Sequence, residues 1–295
     1  MEAWLKTQSS VVREVSPPNH SLDGLDNKPS CLLKLLGRGV PEMIWIDSDL
    51  IIINEFVPWL ETLPPDSIVV AEDPKHLPHR GVQNRTVAWG LSLGRDYRFT
   101  VNSCFLRVTT APRTLLSHWR ELLRAPACQQ AKNQEMILRP FHLSSDQDVL
   151  GALLGSAAFA SLCVVNLRTD RHIVHSGGLL MDRLGDRFRR LWGPPPLLVH
   201  AISLKPWHAL DHDSPSRGFN WWLLRLAQEV SEYVAHARSL QPCINMPCPW
   251  LNYRTIIGRF LRLIGLGNDF LRGLPLAVTV SIAHALKFRR RQNHE

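Results

Sequence analysis

Long hydrophobic runs are missing from this chain of 295 residues, which excludes the simplest membrane topology. No stretch reaches the roughly 18 to 20 apolar residues that a membrane span needs. The nearest candidate, residues 274–286, is too short and contains Pro275 and His284. The first twenty residues lack the basic start and the apolar run of a signal peptide. We therefore expect a cytoplasmic protein.

Paired cysteines, internal repeats and low-complexity tracts are also missing. Of the six cysteines only Cys243 and Cys248 are close together, and no second pair stands near them to complete a zinc site. Several of the others lie in apolar runs, as buried thiols do. A reducing compartment fits this pattern best.

Positive charge is abundant but unevenly spread. The net charge is +8, of which residues 251–295 carry +6, so that the preceding 250 residues are nearly neutral. With 45% hydrophobic and 20% charged residues, the composition is that of a globular protein. A basic tail on a neutral body indicates an anionic partner that the tail reaches, and argues against a nucleic-acid-binding core.

Apolar runs of strand length alternate with helical patterns up to about residue 208, which predicts an α/β sheet flanked by helices. The predicted strands are residues 42–46, 67–71, 99–108, 162–165 and 197–202, and the predicted helices are residues 29–36, 115–123 and 146–154. One long amphipathic helix is predicted for residues 221–238. We expect a catalytic domain over residues 1–208 and a helical, basic extension over residues 209–295.

Two carboxylates follow the apolar run at residues 43–46. Asp47 and Asp49 are separated by one residue, so in an extended chain their side chains point to the same side. There they can face one hard cation, Mn²⁺ or Mg²⁺, which in turn bridges to phosphates. The alternative is an exposed turn, because Asp-x-Asp triplets are common on protein surfaces.

Later segments supply further candidates, each with a structural alternative. His200 suits a third metal ligand, and Lys205 offers positive charge to a leaving diphosphate, although this segment alone is more often structural. Asp146 and Gln147 begin a predicted helix, where they either face the reacting carbon of a sugar or only cap the helix. Asn102 and Ser103, at a strand start, either bind a sugar or make a turn.

In order and spacing these segments resemble the GT-A glycosyltransferases, most closely the family 8 group of glycogenin and the bacterial lipopolysaccharide galactosyltransferases. The resemblance spans roughly residues 28–208 and rests on Asp47-Ser48-Asp49, Asn102, Asp146-Gln147-Asp148, His200 and Lys205-Pro206-Trp207. It implies a Rossmann-like mixed sheet and retaining transfer of a hexose from a UDP-sugar to a glycan or lipid-linked acceptor. It also implies a Mn²⁺ (or Mg²⁺) ion on Asp47, Asp49 and His200, donor contacts from Ser48, Asn102 and Lys205, and catalytic roles for Asp146 and Gln147.

Three features depart from that family. Ser203 stands where the family has Gly, in a loop one residue shorter, and Cys104 also stands in place of a Gly. Only about 40 residues precede the Asp-x-Asp strand, roughly half the family's number, so the part that binds the uridine is short. A non-catalytic or truncated member of the fold is therefore one alternative. The other is a phosphatase of the haloacid dehalogenase type with Asp47 as nucleophile.

The tail adds an expectation about location. Residues 253–264 intersperse arginines with apolar residues, as in a basic amphipathic helix that lies on an anionic membrane, and the run of Arg289 to Arg291 continues the charge. The alternative is a helix packed on the catalytic domain or on a second copy. Peripheral attachment to the inner face of the membrane would suit a lipid-linked acceptor.

Overall fold

A computed structural model describes residues 24–73, 82–95, 97, 99–135, 138–169, 171–177, 184–202, 205–207, 219–243, 248–252, 255–264 and 273–282. Ser203 and the basic run at residues 289–291 lie outside these ranges.

Strands and helices alternate along the described residues as far as β7. The strands are β1 Glu42–Ile46, β2 Leu50–Ile52, β3 Ile68–Asp73, β4 Thr100–Thr109, β5 Val164–Leu167, β6 Ile173–Ser176 and β7 Leu198–Ala201. The helices are α1 Asn27–Gly37, α2 Val57–Glu61, α3 Val82–Ala88, α4 Arg113–Arg124, α5 Pro126–Lys132, α6 Asp146–Leu154, α7 Leu184–Trp192, α8 Phe219–Glu229, α9 Glu232–Leu240, α10 Ile256–Ile264 and α11 at residues 273–282.

The strands form two mixed sheets. The larger has the order β1-β4-β3-β5, in which β4 is antiparallel to both neighbours and β3 runs parallel to β5. The smaller has the order β2-β7-β6, with β2 antiparallel and β6 parallel to β7. The predicted mixed sheet flanked by helices is thus confirmed, and so is the helical character of the C-terminal part.

The two sheets pack against each other between two layers of helices, and their inner strands β3, β4 and β7 are buried almost throughout. Helices α1, α4 and α6 pack on one face of the larger sheet through Leu32, Trp119 and Leu150. Its other face meets the smaller sheet, where Phe105 and Leu198 share one cluster. Helix α9 closes the far side with Tyr233 and Val234 against Val199 and Ala201. All ten residues of β4 are buried, as expected for the strand at the centre of these layers.

Two details differ from the sequence predictions. The single helix predicted for residues 221–238 is wrong, because α8 ends at Glu229 and α9 begins at Glu232. Ser231 causes the break: its Oγ donates to the carbonyl of Gln228 and accepts from the amide of Val234 as the N-cap of α9. The two short strands β2 and β6 were also not predicted from the sequence. Both help to position the residues of the candidate site.

No helix in the described ranges is long and apolar enough to cross a membrane. The C-terminal helices instead form a small cluster of their own, in which Leu226 of α8 and Val230, which follows α8 directly, pack with Leu276 and Val280 of α11.

Candidate active site

The segment at residues 47–49 is a tight turn that carries the chain from one sheet to the other. The amide of Leu50 closes the turn on the carbonyl of Asp47 at 3.1 Å. The amide of Asp47 donates to the carbonyl of Cys104 in β4, and the amide of Ala201 in β7 donates to the carbonyl of Asp49. Asp47 is therefore fixed to the larger sheet and Asp49 to the smaller one.

Asp49 lies beside two basic side chains from the β7 region. His200, the third residue of β7, has its Nε2 at 3.4 Å from Asp49 Oδ1. Lys205 donates to the other carboxylate oxygen, Oδ2, and to the carbonyl of Ala201. Burial acts to raise the pKa of Asp49, but His200 and Lys205 outweigh it and hold that pKa well below its usual range. The carboxylate is thus ionised, and its buried Oδ1 accepts no hydrogen bond from the residues that the structure describes.

A second buried histidine, His175 of β6, fixes the ring of His200. The parallel pairing of β6 with β7 sets the two residues side by side, with their Nδ1 atoms 3.0 Å apart. His175 Nε2 lies 2.8 Å from the carbonyl of Glu72, which can only accept, so this nitrogen carries a hydrogen. Burial, with His200 nearby, lowers the pKa of His175 to about 3, so its ring is neutral.

These hydrogen bonds determine the tautomer of His200. Since Nε2 of neutral His175 donates to Glu72, its Nδ1 has a lone pair and must accept from Nδ1 of His200. Nε2 of His200 is therefore the ring nitrogen that faces Asp49, whose Oδ1 lies 3.4 Å away.

A second group of side chains surrounds Lys28, near the start of α1. Lys28 Nζ donates to Asp47 Oδ2 at 3.0 Å and to Ser103 Oγ at 2.8 Å, and lies 3.3 Å from Asp146 Oδ2. Ser103 Oγ in turn donates to Asp146 at 2.9 Å. Burial alone lowers the pKa of Lys28, but the carboxylates of Asp146 and Asp47 outweigh it and raise that pKa above its usual value. Lys28 is thus a permanent positive charge between two carboxylates.

Asp73, at the end of β3, organises the third part of the site. Its Oδ2 accepts from Asn102 Nδ2 at 3.3 Å and from Gln147 Nε2 at 3.0 Å. The other end of the Asn102 amide accepts from the backbone of Cys104. The side chains of Asn102 and Gln147 are consequently oriented before any ligand arrives.

The predicted site residues thus fall into three connected groups. Asp49 lies with His200 and Lys205; Asp47 lies with Asp146 at Lys28; Asn102 and Gln147 meet at Asp73. Ser48 is exposed on the turn.

The three predicted metal ligands are not gathered round one point. Asp47 has both oxygens engaged, one by Lys28 and the other by the indole of Trp45 at 2.6 Å. In the described part of the chain no group of three or more His, Cys, Asp or Glu side chains is arranged to hold a metal.

Sequence reasoning missed three residues of the site, which are Lys28, Asp73 and His175. Asp73 had a signal, because it ends an apolar strand. Lys28 and His175 had none: each is a single polar residue in an ordinary local pattern, and only the folded contacts reveal it. Ser103 was a candidate beside Asn102, and its hydroxyl contacts Lys28 and Asp146.

No protein-family profile matches the chain, and no curated protein matches it either. Among solved structures, the chain is similar to the crystal structure of a glycosyltransferase involved in the glycosylation of the major capsid of PBCV-1. The two are 8% identical, with 65% of this chain and 77% of that chain covered and a TM-score of 0.38. At this distance any functional conclusion depends on the residues of the site itself.

Proposed function

We propose that this protein is a glycosyltransferase of the GT-A type that transfers a hexose from a UDP-sugar to a glycan or lipid-linked acceptor with a divalent cation, Mn²⁺ or Mg²⁺. The observation that carries the proposal is the buried, unsatisfied Oδ1 of Asp49, which faces Nε2 of His200 while Lys205 holds the opposite oxygen. A carboxylate oxygen and an imidazole nitrogen directed at one place, with a lysine beside them, suit a cation and a diphosphate.

The donor atoms fit a cation of this kind. Neighbouring ligands of an octahedral Mg²⁺ or Mn²⁺, at about 2.1 Å each, lie roughly 3 Å apart, close to the 3.4 Å between Asp49 Oδ1 and His200 Nε2. An oxygen and an imidazole nitrogen are ligands that manganese accepts. Asp49 and His200 would hold the ion, and Asp47 would be the third ligand on giving up its contact with Lys28. The bound ion supplies positive charge to the diphosphate.

The remaining residues bind and orient the donor. Lys205 can pass from Asp49 to a phosphate oxygen, and there it neutralises charge on the departing UDP. Asn102 and Gln147, held in place by Asp73, present amide groups to sugar hydroxyls. Asp146 next to Lys28 offers a carboxylate to the sugar at its reacting carbon. Retention of configuration belongs to the proposal through the family resemblance.

One observation favours a second candidate, a non-catalytic protein of the same fold. Lys28 occupies the space between Asp47 and Asp146 with four oxygen contacts, including one to the carbonyl of Ser103, as a built-in cation would. If that arrangement persists with donor present, the protein would bind a nucleotide-sugar without cleaving it. The phosphatase alternative has less support, because its nucleophile Asp47 has both oxygens hydrogen-bonded.

The proposal is tested by the release of UDP from a panel of UDP-hexoses with Mn²⁺ and with EDTA. The matched variants are Asp49→Asn and Asp66→Asn, the latter at an exposed position outside the three groups. We expect release to need Mn²⁺, to fall by about 100-fold or more in Asp49→Asn, and to be unchanged in Asp66→Asn. Equal release by the two variants would contradict the site, and UDP binding without release from any donor would favour the non-catalytic candidate.

A further inference from the structure

Helix α10, Ile256–Ile264, turns an apolar face towards solvent. The exposed fractions are 83% for Ile256, 74% for Leu263, 58% for Phe260 and 41% for Ile257. An ordinary surface helix does the opposite, with its apolar side inward and its polar side in water.

The periodicity of the helix shows that this exposure belongs to one face. At about 100° per residue, the four exposed apolar side chains fall within an arc of roughly 120°. The opposite side of α10 is already packed: Gly258 is buried and Leu261 joins the cluster of α8 and α11. At the first turn, the hydroxyl of Thr255 donates to Glu229 at 2.6 Å. The helix is therefore anchored on its inner side and leaves its outer side unused.

Positive charge lies along one edge of this outer face. Arg259 and Arg262 are exposed and follow the apolar arc on one side of the helix, and α10 contains no acidic residue. The whole segment of residues 251–295 has a net charge of +6. An apolar face with a cationic edge is complementary to a bilayer of anionic lipids, in which the side chains reach the acyl boundary and the arginines stay at the phosphates.

We propose that the outer face of α10 docks on an anionic membrane surface, with Ile256, Ile257, Phe260 and Leu263 inserted among the lipids and Arg259 and Arg262 at the headgroups. With nine residues the helix is about 14 Å long, so it lies in the interface and does not span the membrane. Such docking needs neither a donor nor a metal, so it stands or falls independently of the transferase activity.

The test is flotation of the full-length protein with vesicles of phosphatidylcholine alone and of phosphatidylcholine with phosphatidylglycerol. Four proteins are compared: wild type, Phe260→Asp/Leu263→Asp, Arg259→Glu/Arg262→Glu, and Leu138→Asp. Leu138 is the matched control because it is 68% exposed but lies in the α/β part of the chain. Circular dichroism and thermal unfolding show that each variant folds, and light scattering gives its oligomeric state.

We expect wild type and Leu138→Asp to float with the anionic vesicles, less so at high salt, and hardly with phosphatidylcholine alone. Each double variant should partition about tenfold more weakly or worse. Failure of the folded wild type to float, or equal flotation of the Phe260/Leu263 variant, would overturn the proposal. A wild-type dimer that this variant makes monomeric, with no flotation of either protein, would also overturn it and assign the face to a second copy of the chain.

Discussion

At the scale of single residues, the contact between His175 and His200 fixes the orientation of the His200 ring. Because Nδ1 of His175 accepts a hydrogen bond from Nδ1 of His200, the other nitrogen of His200, Nε2, is the one that could act as a ligand. Asn at position 175 preserves an acceptor near Nδ1, whereas Gln preserves only a donor near Nε2, towards the carbonyl of Glu72. A comparison of the two variants therefore distinguishes an effect on the tautomer of His200 from an effect on folding.

We expect His175→Asn to bind Mn²⁺ nearly as well as wild type, and His175→Gln to bind it about 10- to 100-fold more weakly. Titration followed by the electron paramagnetic resonance of free Mn²⁺ measures this without substrate. If both variants bind like wild type, His175 has no role in positioning His200. If both are weak and unfold at a lower temperature, the role of His175 is structural.

The same residue makes stability depend on pH. Burial lowers the pKa of His175 to about 3, from an ordinary value of 6.5. Between these two pH values the ring is protonated in the unfolded chain and neutral in the folded one. Stability is therefore complete above pH 6.5 and falls as the pH drops from there towards 3, by up to about 1.4 kcal/mol per pH unit.

Urea unfolding of the metal-free protein at about pH 7 and about pH 5.5 tests this. Wild type should lose about 1 kcal/mol more than His175→Asn over that interval, since the variant lacks the titrating ring and shares every other one. An equal loss in the two proteins would show that His175 is not kept neutral by the fold.

At the scale of elements, Gly177 sets the distance between the end of β6 and the strand that carries His200. Its φ of +132° disfavours side chains, and a Cβ would lie 2.1 Å from the carbonyl of Ile202. Gly177→Ala should lower the free energy of unfolding by about 2–3 kcal/mol. Gly185 in α7 is the control, because no atom lies within 4 Å of a Cβ there. Gly185→Ala should change stability by less than about 1 kcal/mol, and a matching loss in both variants would refute the packing argument.

The helices and strands also show which parts of the fold can be predicted from sequence patterns. Apolar runs predicted β1, β3, β4, β5 and β7 to within two residues. The pattern is clearest in β3 and β7, which are mostly apolar and buried almost throughout. Strands β2 and β6 were not predicted because they are only three and four residues long. In β6, moreover, two of the four residues are the polar His175 and Ser176. The break at Ser231 was missed because helical periodicity continues across it; only the hydroxyl marks the cap.

At the scale of the whole molecule, the site arises where the two sheets meet. Asp47 belongs to the larger sheet and Asp49 to the smaller one, and His175 joins them by its bond to the carbonyl of Glu72 in β3. The sequence order led to the prediction of Asp49, Asn102, Gln147, His200 and Lys205 as site residues. It could not predict that Lys28 would stand between Asp47 and Asp146, because that contact joins residues 19 and 118 positions apart.

The proposed site would bind a nucleoside diphosphate through a cation at Asp49 and His200. Calorimetric titration of UDP into the purified protein, with Mn²⁺ and with EDTA, tests this binding without an acceptor or a donor sugar. We expect binding that needs Mn²⁺ and weakens at least about tenfold in EDTA. Equal binding in EDTA, or no binding in either condition, would contradict it.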